Sequence, residues 1–243
     1  AVTFKSGGVS VAGSVTVSNP SGNNWMASYA VNSADTEGAV TFTIDFSDLA
    51  GNVGVQATTT TDASSVTIDK TSPTLAPVSI SSNNADPSQA IPGDVVTLTF
   101  TSSETIQTPA VSFQSGGVNV TNSPTITNTS GNNWTAAYTA SGSDTNGLVS
   151  FTISFSDLAS NAGTNVTATT NSSTVTFSKP APVLTSVTIA SNNANTSRAK
   201  VGDSVTLTFT SNTAISTPTV SFQSGGVNVA NSPIITNTSG NTW

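Results

Sequence analysis

The chain has 243 residues, no cysteine, no histidine and a net charge of −7. These absences exclude thiol chemistry, disulfides, zinc sites built on Cys or His, and the commonest general base at neutral pH. Only 7% of residues are charged, and serine and threonine make up about a third of the chain, so hydroxyls and amides rather than charge must keep it soluble. The acidic balance argues against nucleic acid and anionic membranes as partners, and no apolar run is long enough for membrane insertion.

Read along the chain, the first signal is a face shared by Trp25, Ala27, Tyr29 and Val31. Such period-two alternation predicts a strand with one buried side. Val40–Asn52, VTFTIDFSDLAGN, follows as a second alternating run with a polar turn. Lys70–Pro73 then reads as a linker, because proline cannot join a central strand. Val78 and Ile80 open a complete unit, and Val96, Leu98 and Phe100 alternate with threonines. Val111 and Phe113 lead into Gly116–Gly117, a hairpin turn in which glycine supplies positive φ, and Val118 and Val120 continue beyond it. Trp134, Ala136, Tyr138 and Ala140 form the next face, followed by Val149, Phe151, Ile153 and Phe155. Val175 and Phe177 close the unit before a second linker at Lys179–Pro182. No stretch shows sustained helical spacing.

The pattern repeats. Trp25, Trp134 and Trp243 stand 109 residues apart, and the Gly-Gly pairs at 7–8, 116–117 and 225–226 keep the same step. Ser112–Trp134 and Ser221–Trp243 agree at 20 of 23 positions. The expected organisation is therefore a partial repeat over 1–73 lacking its opening strands, a complete repeat over 74–182, and a partial repeat over 183–243 lacking its closing strands. An array of this kind is expected to extend past both ends of the 243 residues. Seven or eight short strands per unit, each with one apolar face, predict an all-β fold of antiparallel β-sandwiches, with an immunoglobulin-like sandwich as the first choice and a small barrel or jelly roll as the alternative. The expected core residues are Trp25, Trp134, Tyr138, Phe151 and Phe155.

GNNWTAAYT (131–139), VSFTISFSDLASNAG (149–163) and VGDSVTLTFT (201–210) resemble the bacterial Ig-like tandem repeats of large surface adhesins, biofilm proteins and surface-layer proteins. The resemblance spans the whole chain. It implies a non-enzymatic spacer or assembly module at the cell surface, outside the cell, with neighbouring copies of the same repeat as partners.

Candidate chemistry is sparse, and no catalytic residues are expected. Asp48 and Asp157 each follow a strand in Ser-Asp-Leu-Ala, while Asp94 and Asp203 follow glycine before a strand. All four are expected to brace turns by accepting backbone hydrogen bonds. Calcium at Asp45, Asp48 and Asp69 is the sharper alternative. Against it, Asp45 becomes Ser154 and Asp69 becomes Ser178 one repeat later, so no cofactor is expected. Sequons place candidate N-glycosylation at Asn119, Asn128, Asn133, Asn165, Asn171, Asn195 and Asn237. Three functional expectations follow: a stalk, a filament or surface layer assembled as a homopolymer by strand complementation between subunits, and an adhesin module that takes a surface glycan or protein receptor on exposed aromatics.

Overall fold

The computed structural model describes residues 1–243 and is all-β, with several antiparallel sheets and no helix. It divides into two compact units, residues 1–178 and 179–243. The boundary expected near Thr74 falls inside the first unit.

The first unit opens with β1 (Val2–Ser6), β2 (Val9–Ser10), β3 (Thr16–Ser21), β4 (Asn24–Ser28), β5 (Gly38–Ile44) and β6 (Thr67–Ile68). These form a sheet ordered β2-β1-β5-β6 and a separate β3-β4 hairpin. It continues with β7 (Leu75–Ser82), β8 (Gln89–Ala90), β9 (Val95–Ser102), β10 (Ala110–Ser115), β11 (Val118–Asn119), β12 (Thr125–Ser130), β13 (Asn133–Thr139), β14 (Gly147–Ser154) and β15 (Thr176–Phe177). Those nine build two larger sheets, ordered β12-β13-β9-β7 and β11-β10-β14-β15-β8.

The alternation read from sequence decides what these sheets bury. In β9, Val96, Leu98 and Phe100 are fully buried while the threonines between them face outward. Phe100 stands opposite Trp134 of β13 and Val78 of β7, and Leu98 stands opposite Ala136 and Ile80. From the other sheet, Phe113 stands opposite Phe151 and Val111 opposite Ile153. All these side chains join one hydrophobic cluster that both sheets share. Fully burying each large one contributes about 1.5–3 kcal/mol relative to exposure. Phe113 and Tyr138 meet across the cluster with ring centroids 4.9 Å apart. Burial pushes the Tyr138 hydroxyl up to about 12, with the nearby Asp144 charge adding to the effect.

The hairpin glycines behave as expected. Gly116 and Gly117 have φ of +57° and +80°, the left-handed region that a two-residue turn of matching twist requires. A side chain at Gly116 would lie 2.4 Å from the carbonyl oxygen of Asn146. The long-range pairing repeats 109 residues earlier in register: Phe4 faces Phe42 in β1–β5 as Phe113 faces Phe151 in β10–β14.

Two expectations need correction. Trp25 was expected in the core but is 69% exposed, whereas Trp134 is 7% exposed. The reason is local: β13 lies between β12 and β9, while β4 pairs only with β3. Second, the sheets are not wholly antiparallel, since β8 and β15 pair in parallel over two residues. Val118, which continues beyond the Gly-Gly turn, is 55% exposed on the two-residue edge strand β11.

The second unit holds β16 (Leu184–Ser191) paired with β17 (Val205–Ser211), and β18 (Gln223–Ser224) paired with β19 (Val227–Asn228). Its apolar faces are open: Val187 and Ile189 are exposed, while their counterparts Val78 and Ile80 are buried.

Candidate functional site

The turn reading of the shared aspartates is met in geometry, with a longer reach than expected. Asp157 accepts from the backbone N–H of Asn161 at 2.8 Å and from its Nδ2 at 2.7 Å. Asp48 accepts from Asn52 at the same two distances. The donor is four residues on, so an asparagine at that position closes the loop twice. Asp94 and Asp203 reach backward instead. They accept from the amides of Ile91 and Lys200, each at 2.8 Å, and from the side chains of Asn84 and Asn193. Buried Asp35 and Asp144 act as staples: Asp35 accepts from Ala12 and Asn32, Asp144 from Thr121 and Ser141. Each thereby ties the segment after a short edge strand to a later loop.

The one gathering of carboxylates lies where the segment before β7 meets the loops of β9 and β14. Ligand oxygens of Asp69, Glu104 and Asp157 all fall within 4.8 Å of one another. Pro73 is fully buried, and the linker is pinned from the other side by Asn161 Nδ2, which donates to the carbonyl of Asp69 at 3.1 Å. Asp157 is 1% exposed, and Asp69 and Glu104 are half-buried. The Glu104 carboxyl is pushed above its ordinary range by burial first, then by the charges of Asp69, Asp157 and Glu37. Glu37 itself is held low, chiefly by the Thr71 hydroxyl, which donates to it at 2.8 Å.

Of the three acids considered for calcium, the structure brings only Asp69 here. Asp45 instead accepts from Gln56 Nε2 at 2.7 Å, and Asp48 is exposed in its own turn. Glu104 and Asp157 were not united with Asp69 in the sequence reading. Three of the acids that fail to repeat lie at this junction, although Asp45, Asp62 and Asp86 also fail to repeat and lie elsewhere. One period on, Asp69, Glu37 and Glu104 become Ser178, Asn146 and Thr213. Chemically, the cluster presents a hard, oxygen-only environment, which suits either a divalent cation with further oxygens to complete six to eight, or a retained proton on Glu104.

All seven sequon asparagines are exposed. Several spend their amides on local structure: Asn128 and Asn237 donate to Gly131 and Gly240, each at 2.8 Å, and Asn133 accepts from the Thr101 hydroxyl at 2.7 Å. Asn119 accepts from Gln114, Asn171 from the amide of Ser173, and Asn195 from Ser197. Asn165 lies outside the named strands, just before the bridge formed by Val166. The exposed aromatic that a sugar platform needs is present at Trp25 but not at Trp134. No protein-family model, curated protein or solved structure matches the chain.

Proposed function

We propose that the chain is a non-enzymatic structural repeat of an extracellular stalk or fibre, built of immunoglobulin-like β-sandwiches with a period of 109 residues. The observation that carries this reading is the junction between the first two repeats. The linker is not a loose tether, because Pro73 is buried and Asn161 of the complete repeat holds Asp69. A proline-containing connection packed in this way limits bending between neighbours. The shared hydrophobic cluster of β7–β15 supports the reading, because it gives residues 74–178 the packed core that a spacer needs. The resemblance to bacterial Ig-like surface repeats supports the same reading and a location at the cell surface.

The test is small-angle scattering on the 243-residue chain and on chains with one or two further copies of residues 74–182 inserted after Pro182. The expected result is a constant gain in maximum dimension per inserted repeat, on the order of 40 Å from strands of ~7–9 residues plus loops. A dimension that grows as the square root of repeat number would show a flexible string and overturn the stalk.

A further inference from the structure

β7 ends its sheet, with β9 on one side only. The edge of an end strand is a row of amides and carbonyls on which another strand can pair. Charged side chains commonly blunt such an edge, but β7 reads LAPVSISS and carries none. The chain uses hydroxyls instead. The amides of Val78, Ile80 and Ser82 point away from β9, and each has a partner. Val78 donates to Thr170 Oγ1, Ile80 to Ser173 Oγ and Ser82 to the carbonyl of Pro87, each at 2.9 Å. The Val78 carbonyl accepts from the amide of Thr170 at 2.8 Å and from its hydroxyl at 3.2 Å. Thr170 and Ser173 belong to one arc, residues 167–174. It runs from Val166, which bridges to Ile153, to buried Val175, whose carbonyl accepts from the amide of Val149. Both anchors lie against β14 of the other sheet, so the arc leaves that sheet, reaches the edge of β7 and returns.

The shape of the arc is set locally. Asn171 Oδ1 accepts from the Ser173 amide at 3.1 Å, Thr169 Oγ1 donates to the Ser173 carbonyl at 2.9 Å, and Ser172 sits at φ +58°. One period earlier the same loop recurs with different side chains. Asp62 Oδ1 accepts from the Ser64 amide at 3.0 Å, Thr60 Oγ1 donates to the Ser64 carbonyl at 3.0 Å, and Ala63 sits at φ +59°. A left-handed backbone is unfavourable for any residue but glycine, so these bonds must hold the shape in both repeats. We propose that residues 167–174 form a guard strap, which keeps the edge of β7 from pairing with a second copy of this chain. A second copy is the strand donor to guard against, because two β7 edges are complementary to one another in antiparallel pairing. This inference goes beyond the stalk reading and holds whether or not that reading does.

The test removes the two hydroxyls and little else. In the double variant Thr170→Val with Ser173→Ala, the strap loses both side-chain acceptors. Sedimentation velocity should show larger species for this variant than for the unmodified chain at the same concentration. Ser81 lies on the exposed face of β7 beside the edge. Adding Ser81→Lys sets like charges across any β7–β7 pairing and should return the profile to that of the unmodified chain. A double variant that melts cooperatively and sediments as the unmodified chain does overturns the guard. Association that Ser81→Lys leaves intact overturns it too. Ser173→Ala alone removes one cap and leaves both bonds of Thr170 in place. It should speed hydrogen exchange at the Ile80 amide about tenfold and leave that of Val78 within about twofold. Unchanged exchange at Ile80 overturns the strap even where the double variant fails to fold. The scattering test of the stalk is decided on its own result in every case.

Discussion

Trp134 and Trp25 begin equivalent strands in nearly identical stretches, GNNWTAAY and GNNWMASY, yet one is 7% exposed and the other 69%. Phe155 and Phe46 differ in the same way, at 7% and 55%. The local hairpin is the same in both: Asn128 closes on Gly131, and Asn19 on Gly22, each at 2.8 Å. What differs is the presence of β7 and β9 alongside. Strand formation in this chain is therefore local, set by alternation and glycine turns, whereas burial is a property of the whole set of strands. An apolar position becomes core only when the strand beside it is supplied.

The sharpest way to break this comparison is to truncate both tryptophans. Trp134→Ala should cost about 3–5 kcal/mol, the range for removing a large aromatic from a packed core. Trp25→Ala should stay within about 0.5 kcal/mol, as for a surface change. Denaturant titration of each variant reads both values. Equal losses would mean that the two strands have the same environment after all.

A second comparison concerns acids rather than aromatics. Asp35 is held below its ordinary range, first by the Asn32 amide and then by that of Ala12. Asp48 is lowered first by the Asn52 side chain. A depressed folded value means that the stabilisation is complete above the ordinary carboxylate value of about 4 and is lost as pH falls through the folded one. The melting temperature should thus drop on acidification in that window, and Asp35→Asn should remove part of the drop. A flat profile would contradict the staple role.

Glu104 runs the other way. Its value is raised, so its contribution is most favourable when protonated and is lost as pH rises through the folded value. Glu104→Gln should raise the melting temperature at neutral pH and leave it unchanged well below pH 4. The smallest expected effect is that of calcium: melting in calcium and in chelator should agree within a few degrees for the wild-type chain. A larger stabilisation that Glu104→Gln abolishes would instead assign the junction to a cation.

The alternating strands were legible in the sequence because their apolar residues recur at every second position. Val96, Leu98, Phe100, Ala136, Ile153 and Phe177 are all buried as read. β12 was not legible, since Thr125–Ser130 carries a single apolar residue, Ile126, and is recruited by its hairpin with β13. The parallel pairing of β8 with β15 spans two residues and leaves no pattern at all. At the junction, Asp69 stood out, but its union with Glu104 and Asp157 depends on loops far apart in the chain that only the packed linker brings together. The exposure of Trp25 was misread because alternation reports which side of a strand is apolar, and not whether anything covers it.

Strands equivalent to β7 and β9 alone decide the fate of the tryptophan. The most direct measurement joins residues 74–109, which carry β7 to β9, ahead of residue 1 in a chain whose Trp134 and Trp243 are replaced by phenylalanine. Trp25 emission should move to shorter wavelength, and its quenching by soluble acrylamide should fall to the level of a buried residue. Emission and quenching unchanged from the chain without the added strands would contradict it.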